Sequence, residues 1–428
     1  MSADAELAEV LDWLWRTTPP QAVQDKAREI LLDTVGCVIA AGAKEPLQHL
    51  AEAISVTDPG AVSVPGFAQR FSVSGAAALL AAAACWDEAC EGLARAHGRP
   101  GVPVIAALAA LAQLRRASLA DVLAALITGY EVGGRLGEAL RIAPGMHVDA
   151  TWPGLGVAAA VVRFCGGTSA QALAAVRVAG SQIPRSLYLP VKQGAEARNT
   201  YLAHSAQLGL LAAQAALAGL GAPQGVLEEL RSGGFAASGE WLTLEAYLKP
   251  FAAVRHVHYA AAAALALRPK LAERLEHIAR IELHTYAEAL TYCGNRAPHS
   301  AIQAQFSLSY GVACALATGA LAPESYEPSM LGDRTVRELE AKISLSEDAA
   351  LTQAGKRGAQ LTVFIGVERM ESTVDRVEGD PGHPMARSSL IAKFARLAVR
   401  PPRAAEAFLV ADGGASCAEL LEQLATPA

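Results

Sequence analysis

The segment Lys249-Pro-Phe-Ala-Ala-Val-Arg255-His256-Val-His258 places two fixed cations and two imidazoles within ten residues. Lysine and arginine bind carboxylates, arginine in bidentate fashion. Histidine titrates near neutrality and moves protons. The chemistry this composition suggests is anion binding coupled to proton transfer. A solvated loop with helix-terminal charges would carry the same residues. The His256-x-His258 spacing could also ligate a metal, but no matched second pair of ligands occurs elsewhere, so no metal is expected.

A second cluster is Glu196-Ala-Arg198-Asn199-Thr-Tyr201. It reads either as a helix cap with surface charges, or as Arg198 and Tyr201 on one helix face donating to a carboxylate. His147, in GMHVDATWPGLG, lies in a Gly/Pro-rich loop before an alanine-rich helix, and helix starts favour anions. His97, in AHGRPGVPV, has a similar context. Tyr292, in TYCGNRAP, is expected in a loop after a strand, where it either donates a proton or packs.

These groups need a scaffold. The chain has 428 residues, beyond the size at which one core stops growing, so two domains are expected. Hydrophobic residues make up 52% and charged residues 18%, which permits a large core and argues against disorder. The apolar fraction leans on alanine, which favours closely packed helices. A net charge of −6 with no long basic run argues against nucleic acid as a partner. An acidic protein that binds an anion must concentrate its positive charge locally. Seven scattered cysteines without a CxxC pair read as free thiols of a reducing cytoplasm. The N-terminus MSADAELAEVLDWLW carries acids before its apolar residues, unlike a signal peptide. Ala76–Cys85 is apolar but too short to span a bilayer, so no membrane association is expected.

Apolar spacing predicts two helices over 5–44, broken at Pro19-Pro20, and a surface crossover over 55–75. Helices separated by glycine or proline then follow from 76 to 222. Ile278–Tyr286 alternates as a half-buried strand does. Ile302–Leu316 reads as one helix, Ile343–Leu345 and Gln360–Gly366 as strands, and Ser388–Phe394 as the start of a helix. The expected architecture is mainly α: an all-helical domain over 1–265, a smaller α+β domain over 266–395, and a helical end at 396–428 returning to the first.

No GxGxxG follows a strand, and GxxxxGK[ST], GxSxG and HExxH are absent. Together these absences argue against nucleotide, nucleophile-elbow and zincin chemistry. Proton transfer next to a carboxylate remains: elimination, epimerisation or decarboxylation.

Taken in order, several stretches resemble the MmgE/PrpD family, which includes 2-methylcitrate dehydratase, cis-aconitate decarboxylase and iminodisuccinate epimerase. They are LLDTVGCVIAAG (31–42), RPGVPVIAALAALAQ (99–113), ITGYEVGGRLG (127–137), MHVDATWPGLGVAAAVVRFCGG (146–167), LKPFAAVRHVHYAAAAAL (248–265), QAQFSLSYGVACAL (303–316) and GDPGHPMARSSLIAKF (379–394). The resemblance implies a helical domain plus a smaller α+β domain, a homodimer, a site between the domains, and no metal or organic cofactor. It also implies catalytic roles for His147, Lys249, Tyr292, His258 and His97. Arg198, Arg255, His256, Asp87 and Tyr201 would bind substrate.

One stretch departs. Where the family carries D-[FY]-D-D-T-H, this chain has Cys85-Trp86-Asp87-Glu88-Ala89-Cys90. The first acid, the threonine and the histidine are replaced. The expected activity is therefore a cofactor-independent hydro-lyase of the 2-methylcitrate dehydratase type with altered substrate. Epimerisation, decarboxylation and a carboxylate-binding protein without activity are the alternatives.

Overall fold

The computed structural model describes residues 2–140 and 142–426. Alanine dictates the first layer. The helix Val73–Cys85 is almost entirely alanine and leucine and is buried from Gly75 to Cys85. The helices Gly101–Arg115 and Tyr201–Leu217 pack on it, and Leu119–Ala139 and Pro153–Phe164 pack on Gly101–Arg115 and on each other. Small side chains let their axes approach closely. A Cβ at Gly156 would stand 2.5 Å from the Gly129 carbonyl oxygen and 3.0 Å from Gly133 Cα. Overpacking of that kind costs about 1–3 kcal/mol. Gly156→Ala is expected to lower stability by that amount in denaturant titration.

The two expected N-terminal helices are Ala3–Arg16 and Gln21–Ala41. The terminal helices Arg387–Ala398 and Pro402–Val410 pack on the second of these. Lys393 there is buried and ion-pairs with Asp33.

A four-stranded sheet holds the order Ile343–Glu347, Arg280–Thr285, Ala359–Ile365, Glu368–Val374. The first pair is parallel, with Ile281 opposite Ile343, and the others are antiparallel. Ile281, Leu283 and Thr285 are buried while Arg280, Glu282 and His284 are not, the alternation of a half-buried strand. The helix Arg255–Leu271 packs on the last two strands and on the helix Leu308–Thr318.

The fold is mainly α with small sheets. Four local readings differ from expectation. The predicted helix Ile302–Leu316 is split into Ala301–Gln305 and Leu308–Thr318, because Ser307 caps the second by accepting from the Tyr310 N–H. Tyr292 lies in the helix Ala287–Cys293 rather than in a loop. The strand Glu368–Val374 was not anticipated, its polar residues alternating on an exposed edge. The helical layer also carries two short ribbons, Pro59–Ser63 with Arg70–Phe71 and Gly92–Leu93 with Ala246–Tyr247. Among the described residues no helix is long and apolar enough to cross a membrane.

Candidate active site

The second ribbon explains how Lys249 reaches its surroundings. Gly92 pairs with Tyr247 and Leu93 with Ala246, which lays the approach to Lys249 beside the Cys85–Gly92 stretch. The close fit requires glycine, since a Cβ on Gly92 would stand 2.2 Å from the Tyr247 hydroxyl. Downstream, Leu248 donates to the Gly379 carbonyl, Ala252 to that of Leu321 and Val254 to that of Gln305. These bonds hold Lys249–Val254 as irregular backbone until the helix begins at Arg255.

This segment forms one wall of a cleft of about 280 Å³. Lys249 Nζ stands 2.7 Å from Glu88 Oε2 and also donates to the Glu88 carbonyl at 2.9 Å. Arg99 donates to Glu88 Oε1 at 2.8 Å and pairs with Asp149. Arg198 contacts Glu88 too, and its guanidinium lies 5.4 Å over the Phe306 ring. All five charged side chains are buried. Burial, with Arg99, Arg198 and Arg255 near by, pushes the Lys249 ammonium down to about 7. Lys249 therefore exchanges its proton near neutral pH. Burial raises the Asp149 carboxyl, but Arg99 and His147 outweigh it and hold the group below its ordinary value.

His147 faces this cluster from the loop before the helix Pro153–Phe164. Its backbone is clamped to Ser186 by N–H to carbonyl (3.0 Å) and by the Ser186 hydroxyl (2.6 Å). The Asp149 N–H donates to His147 Nδ1 at 3.2 Å, which makes Nδ1 an acceptor and leaves the ring proton on Nε2. Burial keeps the imidazole below its ordinary pKa despite Asp149. A neutral imidazole is thus held in one tautomer beside the cations. Its ring stacks at 5.9 Å on Tyr188, whose ring meets Tyr292 at 5.4 Å, and Tyr292 stacks at 5.9 Å on His256. This aromatic row joins two neutral histidines across the cleft. His256 is pushed down to about 3 by burial and then by Arg357, and its Nδ1 lies 2.7 Å from the Tyr286 hydroxyl.

The other expected residues divide. Arg255 lines the cleft, pairs with Asp380 and lies 5.0 Å over the Tyr247 ring. His97 lines it as well, in left-handed backbone (φ 54°), with Nδ1 3.6 Å from Glu288. The His97 hydrogen bond, with His256 and Arg357, draws the Glu288 carboxyl down to about 2. His258 does not line the cleft. Arg255, which can only donate, lies 3.2 Å from its Nδ1, so its Nε2–H donates to the Ala253 carbonyl at 3.0 Å. Both nitrogens are committed, and the ring serves as a brace for Arg255. Asp87 also turns away, toward Lys44 at 4.0 Å, and burial pushes its carboxyl up to about 6. Tyr201 stands behind His147, at 5.4 Å between ring centroids, and donates to the Leu187 carbonyl at 2.8 Å.

Glu88, Arg99 and Asp149, central to the geometry, were not singled out from the sequence as site residues. The His147-x-Asp149 spacing and the Arg99 that follows His97-Gly98 were the available signals. Among the described residues no group of three or more histidines, cysteines or carboxylates is disposed to hold a metal.

The MmgE/PrpD N-terminal domain matches residues 5–245, and the MmgE/PrpD C-terminal domain matches residues 251–412. No curated protein matches the chain significantly. Two family domains in sequence, covering nearly the whole chain, leave one conclusion: the chain belongs to the MmgE/PrpD family.

Proposed function

We propose that this protein is a cofactor-independent lyase that removes water from a small hydroxy-polycarboxylate. One observation carries the reading: five cations (Arg99, Lys249, Arg198, Arg255 and Arg357) converge on a small cleft that also presents the neutral imidazole of His147. They outnumber by one the carboxylates that pair with them, Glu88, Asp149, Asp380 and Glu288. A cleft of this charge in an acidic protein suits a compact anion.

In this reading the cations hold the substrate carboxylates and stabilise the enediolate charge that develops as the α-proton leaves. His147 takes that proton on Nδ1, which gives up the bond from the Asp149 N–H, and the Asp149 carboxylate 3.8 Å away steadies the resulting imidazolium. The Lys249 ammonium gives one to the departing hydroxyl, so water leaves and a carbon–carbon double bond conjugated to a carboxylate forms. His147 then loses its proton to solvent and Lys249 regains one. A screen of 2-hydroxy di- and tricarboxylates should show the ultraviolet absorbance of such a double bond, with and without chelator. No absorbance from any of them, or activity abolished by chelator, contradicts the proposal.

The two proton carriers set the pH dependence. Lys249 must be protonated, so kcat/KM should fall as pH rises through about 7. His147 must be neutral, so the acid limb should lie below the ordinary histidine value. A pH–rate profile that keeps rising above 8 would remove Lys249 as the acid.

Epimerisation is the second reading. The aromatic row places neutral His147 and His256 on the same cleft, and two such groups suit removal and return of one proton. The homodimer implied by the resemblance and the cytoplasmic location read from the scattered cysteines belong to this proposal as well.

A further inference from the structure

Glu88 stands out among the charged groups of the cleft. It is 2% exposed, lines the cleft, and adopts left-handed backbone (φ 52°), which non-glycine residues adopt only when their surroundings impose it. Those surroundings grip the backbone of its turn. Arg198 donates to the Cys85 carbonyl at 3.1 Å, Gln305 to that of Trp86 at 3.1 Å, Lys249 to that of Glu88 at 2.9 Å and Lys393 to that of Ala89 at 2.7 Å. The turn is therefore held through carbonyls, and the side chain is free to serve another purpose.

That side chain meets Lys249, Arg99 and Arg198 together. They face it from three separate segments. Asp149 shares Arg99 with it, and Cys90 lies 3.7 Å from the same guanidinium. Three cations on one carboxylate form an anion site that already holds an anion. Lys249, Arg99 and Arg198 are also cations that must receive a substrate carboxylate if the function proposed above is correct, and this inference rests on that reading. One set of donors cannot serve two carboxylates fully.

We propose that Glu88 is an internal competitor: its carboxylate occupies the anion subsite of the empty cleft and is displaced, in whole or in part, by a carboxylate of the substrate. It thereby acts as a specificity-determining residue. A ligand with a single carboxylate merely exchanges one anion for another. A ligand with two or three displaces Glu88 while its remaining carboxylates engage Arg255 and the other cations. The site consequently selects polycarboxylates over monocarboxylates of similar size.

A brace and a competitor differ in the sign of their effect. Tricarballylate, glutarate and butyrate carry three, two and one carboxylates and no hydroxyl, so they bind without dehydration. Isothermal titration of each is expected to show Glu88→Gln binding tricarballylate about tenfold more tightly than the wild-type chain, with a larger gain for glutarate and the largest for butyrate. Selectivity over butyrate should narrow. Weaker binding of all three by a folded Glu88→Gln chain would mean that Glu88 only braces the cations, and would overturn the inference. Glu88→Asp keeps the charge on a shorter arm and guards against misfolding of the first variant. It should bind tricarballylate more tightly than wild type but less tightly than Glu88→Gln, and unchanged or weaker binding counts against the inference. Failure of the wild-type chain to bind any of the three overturns the polycarboxylate reading and this inference with it. Binding by wild type but weaker binding by both variants overturns this inference alone.

Discussion

Lys249→Ala should lower kcat by at least ~10³-fold while leaving the fold in place. Loss of a transition-state charge stabiliser alone costs about 10²–10³-fold, and loss of a general acid about 10²–10⁴-fold. The fold should survive because Glu88 keeps Arg99 and Arg198 as partners when the ammonium is gone. A stability measurement gives an independent check. The folded-state pKa of Lys249 is lowered to about 7 from its ordinary 10.5, so folding sheds a proton between those values. Below about 7 both states carry the proton and burying it costs its full amount. Between about 7 and 10.5 the unfolded chain alone keeps it, so this contribution to stability rises with pH. The wild-type chain should show that rise in denaturant titrations across the window, and Lys249→Ala should not. Retained turnover in the variant would remove Lys249 from the chemistry whatever its effect on stability.

His147→Gln should separate proton transfer from binding. Glutamine can still offer an acceptor to the Asp149 N–H, but it cannot take a proton. The expected result is a fall in kcat of about 10²–10⁴-fold with KM within about threefold of wild type. The small change in KM follows from the geometry, since Lys249, Arg99, Arg198 and Arg255 are held by partners other than His147. A large rise in KM with kcat preserved would make His147 a binding residue.

These two side chains were legible in the sequence for different reasons. Lys249 was conspicuous because it opens a run of cations and imidazoles in an acidic chain. His147 was conspicuous because a loop rich in glycine and proline precedes an alanine-rich helix. The helical layer was legible because alanine content and glycine interruptions report directly on close helix packing. The strand Arg280–Thr285 was legible because its burial alternates. The edge strand Glu368–Val374 was not, because a polar strand on an exposed edge lacks the apolar period that betrays the others. Glu88 and Asp149 were overlooked because a lone acid in sequence does not reveal its partners. Glu88 gains meaning only when Lys249, Arg99 and Arg198, from distant segments, meet on it. Asp87 and Glu88 are neighbours in sequence, yet the left-handed turn at Glu88 sends one to Lys44 and the other into the cleft. His258 shares its segment with Lys249, but helix geometry turns its ring to Arg255 and Ala253.

The reaction proposed for this cleft breaks a bond to hydroxyl after removing an α-proton. Proton NMR of 2-hydroxy di- and tricarboxylates incubated with the protein in D₂O follows both events at once. An olefinic product is expected from at least one of them, absent with Lys249→Ala and with His147→Gln. Deuterium entering the substrate with no olefin formed would identify an epimerase instead. Neither olefin nor deuterium from any substrate, with the wild-type protein folded and binding tricarballylate, would contradict the claim of catalysis.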